Sequence, residues 1–167
     1  MDVGVGAALV KAGGADIERE AREGGGRPLG ACISTGAGRL KCRRVLHAVS
    51  AWSEASCVAR ATQRAFLLAE GEGLRTLAIP AIGTGAARVS IEASAAAMAS
   101  ALQLHLKLGG SRLRAIDFVL YDEEKAKTFT EVLESVFLGD VVRDDVGLPD
   151  EAAVPHSADT VVRRTLG

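Results

Sequence analysis

The chain has 167 residues, 48% of them hydrophobic and 25% charged, and a formal net charge of −1. That length suits one domain around one core, and the composition is that of a globular chain rather than a disordered one. The small net charge argues against a general electrostatic grip on nucleic acid; no apolar run reaches membrane-spanning length and no signal peptide is visible, so no membrane partner and a cytoplasmic setting are expected.

Aromatic residues make up only 4% of the chain, so its core must be built from Ala, Val, Leu and Ile. In chain order, short helices are predicted over 5–11 and 15–23, split by Gly13-Gly14 and stopped by Gly24-Gly25-Gly26 and Pro28. Strands follow over 29–35 and 44–52, joined by a turn over 36–41. Residues 56–70 form an amphipathic helix, with Val58, Ala61, Ala65, Leu68 and Ala69 near helical spacing. A strand over 74–82, a long Ala-rich helix over 90–108, a strand over 113–122 and a helix over 123–136 complete the clear pattern. Alternating strands and helices predict an α/β fold, a three-layer α/β/α domain with a mixed sheet. From Gly139 the chain is first acidic and turn-rich, then basic, which divides it into a core of 1–138 and a tail of 139–167. The three cysteines, Cys32, Cys42 and Cys57, are scattered and lack metal spacing, so reduced, mostly buried thiols and no metal are expected.

Two glycine segments carry the chemistry. Ala78-Ile-Pro-Ala-Ile-Gly83-Thr84-Gly85 is an apolar strand running into a tight turn ahead of a helix. Gly4-Val5-Gly6-Ala7 opens another helix. Backbone amides left bare by glycine, at a helix N-terminus whose dipole favours negative charge, hold phosphate. Two such segments in one small domain could clamp a diphosphate; the plain alternative for each is a turn that needs positive φ.

Three stretches together resemble the macro domain family: Gly4 to Gly14, Ile33-Ser-Thr-Gly-Ala-Gly-Arg-Leu-Lys-Cys-Arg-Arg-Val-Leu-His-Ala-Val49, and Leu77 to Gly85. They are similar to the family's first phosphate loop, its "TGAGNLP…YVIHAV" strand pair and its second phosphate loop. The resemblance implies an ADP-ribose-binding module for free ADP-ribose or ADP-ribosylated protein, with no further cofactor. Val5, Gly6 and Ala7 would offer amides to one side of the diphosphate and Gly83, Thr84, Gly85 and Ala86 to the other. His47 matches a structural histidine, Trp52 is placed at the core edge, and His105 is expected on the surface.

The family begins with two strands that have no counterpart ahead of Gly4. In the tail, Gly139-Asp140-Val141-Val142 resembles the family's Gly-Asp-Ile-Thr strand end, whose Asp accepts from the adenine amino group. His156-Ser-Ala-Asp159 loosely resembles its ribose-side Asn-Ala-Ala-Asn segment, despite Pro155. Asp140, with Val141, and Asp159 are therefore expected ligand residues if the tail supplies these strands. The domain would then be a circularly permuted monomer or a tail-swapped oligomer; the alternative is a linker. Two other functions stay open. An ADP-ribosyl hydrolase is disfavoured because Gly6 and Ala7 stand where hydrolytic members often have an Asp, and Ala87 where many have an aromatic; Asp2 and His156 are the remaining titratable groups. The other is an interaction module that has lost its nucleotide. No catalytic residue is assigned, and the small basic clusters Arg39, Lys41, Arg43, Arg44 and Arg163-Arg164 read as solvated faces.

Overall fold

The computed structural model of the protein describes residues 4–23, 25–50, 54–144 and 160–165, with side chains through residue 138. Helices α1 (Gly4–Gly13) and α2 (Asp16–Arg22) lead into strands β1 (Cys32–Thr35) and β2 (Val45–Ala48), which pair antiparallel with Cys32 opposite Ala48. Helix α3 (Ala55–Gly71), strand β3 (Thr76–Pro80), helix α4 (Ile91–Leu108), strand β4 (Ala115–Leu120) and helix α5 (Glu123–Asp144) follow. Strands β3 and β4 are parallel, and β5 (Thr160–Thr165) lies antiparallel on the other edge of β4, with Thr160 opposite Leu120. Among the described residues the strands form two sheets, one of two strands and one a mixed sheet of three.

The core lies where α3, α4 and α5 meet β3 and β4. Phe66, Met98, Leu102, Ile116, Phe118 and Phe129 are wholly buried there, with alanines of α3 and α4 between them. The small side chains let the helices approach closely, and Phe66, Phe118 and Phe129 lie at the centre; the Phe118 and Phe129 ring centroids are 5.1 Å apart. Strand β4 buries Ile116, Phe118 and Leu120 and turns Ala115, Asp117 and Val119 to a less covered face. Helix α1 stops where its glycines predict: Gly14 has φ +103° and its amide bonds to the Val10 carbonyl at 2.8 Å.

Three expectations are corrected. The strand end expected over 139–142 is helical, since α5 continues to Asp144 and carries both Asp140 and Val141. One Gly costs a helix interior about 1 kcal/mol, which does not stop a helix already propagated through four turns. His105, expected on the surface, is buried. Helix α4 is flanked by both α3 and α5, so an Ala-rich sequence buries more than one face, and the imidazole packs 5.2 Å from the Phe66 ring. Of the cysteines only Cys57 is buried; Cys42 is exposed and Cys32 lies between, its thiol pushed up to about 11 by burial and so kept un-ionised. Asp2, Trp52, Pro155, His156 and Asp159 lie outside the described residues.

Candidate functional site

The loop between β3 and α4 is fixed from below by its own sequence. Gly83 has φ +85°, and a Cβ there would stand 2.9 Å from Val58 Cγ2 and 3.0 Å from Val89 Cγ2, so glycine alone fits. The Gly83 carbonyl accepts from the Val89 amide at 3.0 Å, which closes the loop on itself. Ser94, buried in the first turns of α4, donates its hydroxyl to the Ile82 carbonyl at 2.8 Å, and Thr84 Oγ1 donates to the Ala81 carbonyl at 2.9 Å. The Ile82 amide meets Met98 Sδ at 3.4 Å. Arg88 takes the left-handed conformation, φ +54°, and its amide bonds to the Gly85 carbonyl at 3.0 Å, turning the chain back toward α4.

Those bonds use carbonyls and side chains. The amides of Gly83, Thr84, Gly85 and Ala86 donate to nothing among the described residues. Gly85 and Ala86 are exposed, and a Cβ built at Gly85 meets no atom within 4 Å. A run of bare amides on a braced loop, next to a helix N-terminus, can hold the oxygens of an anion without side-chain charge.

Val5, Gly6 and Ala7 stand in the first turn of α1, where helix amides have no intrahelical acceptor. Val5 is exposed and Gly6 and Ala7 are half-buried. Helix α1 packs on α2, and α2 on β1, where polar contacts tie the layer together. The Gly36 amide donates to Glu20 Oε2 at 2.7 Å, and His47 Nε2 lies 2.9 Å from Thr35 Oγ1, which itself donates to the Gly36 carbonyl. Burial lowers the His47 pKa and the Glu20 charge opposes that shift. His47 is thus engaged within β1 and β2. Asp140 rides on α5, so the strand-end turn on which its adenine contact rested is not there. Sequence reasoning named the loop but missed Val58, Ser94 and Met98, which support it; a Ser and a Met four residues apart in an Ala-rich helix was the available signal.

A groove of about 480 Å³ lies elsewhere, between the C-terminal ends of α3 and α4. Its buried side chains are spent on one another. Glu70 accepts from the Ser111 hydroxyl and from the Arg112 and Leu113 amides, and His105 Nε2 stands 3.2 Å away; among the groove's buried side-chain atoms only His105 Nδ1 lacks a partner. Burial raises the Glu70 pKa, but these hydrogen bonds outweigh it and hold the carboxyl below its ordinary value. The groove is a stapled helix end, whereas the glycine loop keeps its donors open.

Comparison with known proteins gives a consistent result. The sequence profile described as "Macro domain" matches residues 1–98. The protein PAE1111 of Pyrobaculum aerophilum is 38% identical over 138 residues, 78% of this chain and 75% of its own. The macro domain-containing protein TTE0995 of Caldanaerobacter subterraneus is 32% identical, covering 80% of this chain and 81% of its own. Among solved structures, the Trypanosoma brucei macrodomain in complex with ADP-ribose superposes with a TM-score of 0.72 at 23% identity. It covers 77% of this chain, which spans 56% of that one, a likeness of fold.

Proposed function

The chain belongs to the macro domain family, and from that premise we propose that it binds ADP-ribose, free or attached to protein, with the diphosphate on the amides of Gly83, Thr84, Gly85 and Ala86. The observation that carries this reading is the run of unspent amides on a loop braced through its Ala81, Ile82, Gly83 and Gly85 carbonyls. The first-turn amides of α1, at Val5, Gly6 and Ala7, are the second donor set. Asp140, carried on helix α5, is left out of it, and Asp159 lies outside the described residues. Neither segment holds a carboxylate or imidazole to activate water, so the reading is binding rather than hydrolysis. Its relative from Trypanosoma brucei was solved with ADP-ribose, which supports the ligand class. Among the described residues no helix is long and apolar enough to cross a membrane.

Calorimetric titration tests the proposal. A dissociation constant near 1 μM, about −8 kcal/mol, is expected for ADP-ribose. Gly85→Val is the clean variant, because its side chain enters open space at an ordinary φ and leaves the fold alone while filling the anion site. It should abolish the heat. A folded wild-type sample silent at millimolar ADP-ribose, or a Gly85→Val variant that binds as tightly, refutes the assignment. Release of ADP-ribose from a modified protein would refute the restriction to binding.

A further inference from the structure

The end of the molecule opposite the glycine loop gathers positive charge that the sequence scatters. Lys41, Arg43 and Arg44 precede β2, Arg75 precedes β3, and Arg112 and Arg114 precede β4; all six are exposed. Backbone contacts bring them together. The Arg114 amide bonds to the Arg75 carbonyl at 2.7 Å, so these two occupy neighbouring positions of the parallel pair. Arg44 Nε lies 3.0 Å from Glu72 Oε2, which brings the loop before β2 to the same end. The Arg112 amide is held by Glu70 at 2.8 Å. Both acids are therefore spent, Glu72 on Arg44 and Glu70 on amides and a hydroxyl. Among the described residues no ion pair neutralises Lys41, Arg43, Arg75, Arg112 or Arg114.

Like charges at neighbouring strand positions repel, and an unneutralised cluster costs stability that a polyanion restores. The net charge of −1 describes the whole chain and not this end, where Glu72 and Glu70 are already engaged. We propose that the β2–β3–β4 entry end is a docking surface for the phosphate backbone of nucleic acid. The cluster is almost all arginine, whose planar fork matches phosphate oxygens in pairs; a membrane surface responds to charge alone and would not select it over lysine. The five residues of β3, about 3.3 Å each, separate this end from the glycine loop. The two ligands therefore do not compete.

Fluorescence anisotropy with a labelled 20-base-pair DNA duplex and a labelled 20-nucleotide single-stranded RNA decides the matter. Binding is expected at 50 mM salt. For four neutralised phosphates on the duplex, affinity should fall roughly 100-fold on raising salt to 200 mM, and somewhat less on the single strand. The stronger arm identifies the source of the phosphates. The triple variant R75E/R112E/R114E should lose at least tenfold in affinity and flatten the salt dependence, while calorimetry shows its ADP-ribose affinity unchanged. If that variant does not fold, the milder R75Q/R114Q is read in its place and should weaken binding severalfold. Absence of binding to both probes, an affinity indifferent to these substitutions, or binding to phosphatidylserine vesicles in place of either probe would overturn the proposal.

Discussion

The half built from α3, β3, α4, β4 and α5 and the half built from α1, α2, β1 and β2 are held by different forces. In the first, α3, α4, β4 and α5 each contribute wholly buried side chains, and β3 adds the buried Ile79. In the second, Ile17, Ala31 and Val45 are the buried apolar side chains, and the strands are largely half-exposed. There the layers meet through backbone. The Arg39 amide donates to the Gly13 carbonyl at 2.9 Å, Gly36 to Glu20, and Arg64 of α3 donates to the Gly30 carbonyl at 2.9 Å. Burial of area is additive and tolerant of detail, whereas close backbone approach rests on single glycines. The first half should resist substitution except at its centre, and the second should fail locally at a few positions.

The largest effect is expected at the centre of the apolar half. Phe118→Ala removes a wholly buried ring packed at a tilt against Phe129 and should cost about 3–5 kcal/mol in chemical denaturation, with every probe of structure shifting together. A loss under about 1 kcal/mol would mean that the core does not turn on this strand. Gly38→Ala is the matching test of the other half. Gly38 has φ +55°, and a Cβ there would collide with the Gly13 carbonyl. About 2 kcal/mol or more of strain is expected. Amide exchange should show it as lost protection in β1 and β2, with β3 and β4 protected as before. Uniform loss across both sheets would erase the distinction between the halves.

This division also explains what the sequence made legible. Periodicity located α3, α4 and β4 well, because burial of one stripe or one alternate set writes itself into residue order. The glycine loop was legible because Gly83 answers a steric demand that no other residue meets. The tail was not. Gly139-Asp140 looked like a strand end, yet a single glycine is too weak a stop for a helix already formed, and Thr160–Thr165 is a strand only through its pairing with β4. His105 was misplaced because Ala-rich periodicity does not reveal how many neighbours a helix has. Lys41, Arg43 and Arg44 read as a solvated face because Arg75, Arg112 and Arg114 join them only in the fold.

Glu70 gives a pH-dependent test within the apolar half. Its carboxyl is held below the ordinary value of 4.5, burial opposing the shift and the bonds from Ser111, Arg112, Leu113 and His105 prevailing. A group depressed in the folded state stabilises above its unfolded pKa, and that contribution fades as pH falls through the folded value. Glu70→Gln should therefore cost about 1 kcal/mol at pH 7, and its deficit against wild type should narrow below pH 4.5. A deficit that stays constant between pH 7 and pH 3 would show that the carboxylate's charge is not what staples the loop before β4.

The smallest effect is expected where the glycine loop joins α4. Ser90 stands at the N-cap with φ −65° and ψ 157°, and its hydroxyl oxygen accepts from the Ala93 amide at 3.1 Å. Ser90→Ala removes that acceptor, but the residue is exposed, so water takes over part of the bond. A loss of about 0.5–1 kcal/mol is expected, the low end for a helix cap. The main-chain bond from the Ser94 amide to the Ser90 carbonyl remains, and so do the Ser94–Ile82 and Val89–Gly83 bonds that brace the loop. ADP-ribose affinity should accordingly change by less than about twofold. Asp at this position should restore the cap and add a favourable interaction with the helix dipole. If Ser90→Ala instead weakens ADP-ribose by more than tenfold while the melting temperature barely moves, the loop is ordered through its helix cap and not from below, and the bracing assigned to Val58, Ser94 and Met98 is wrong.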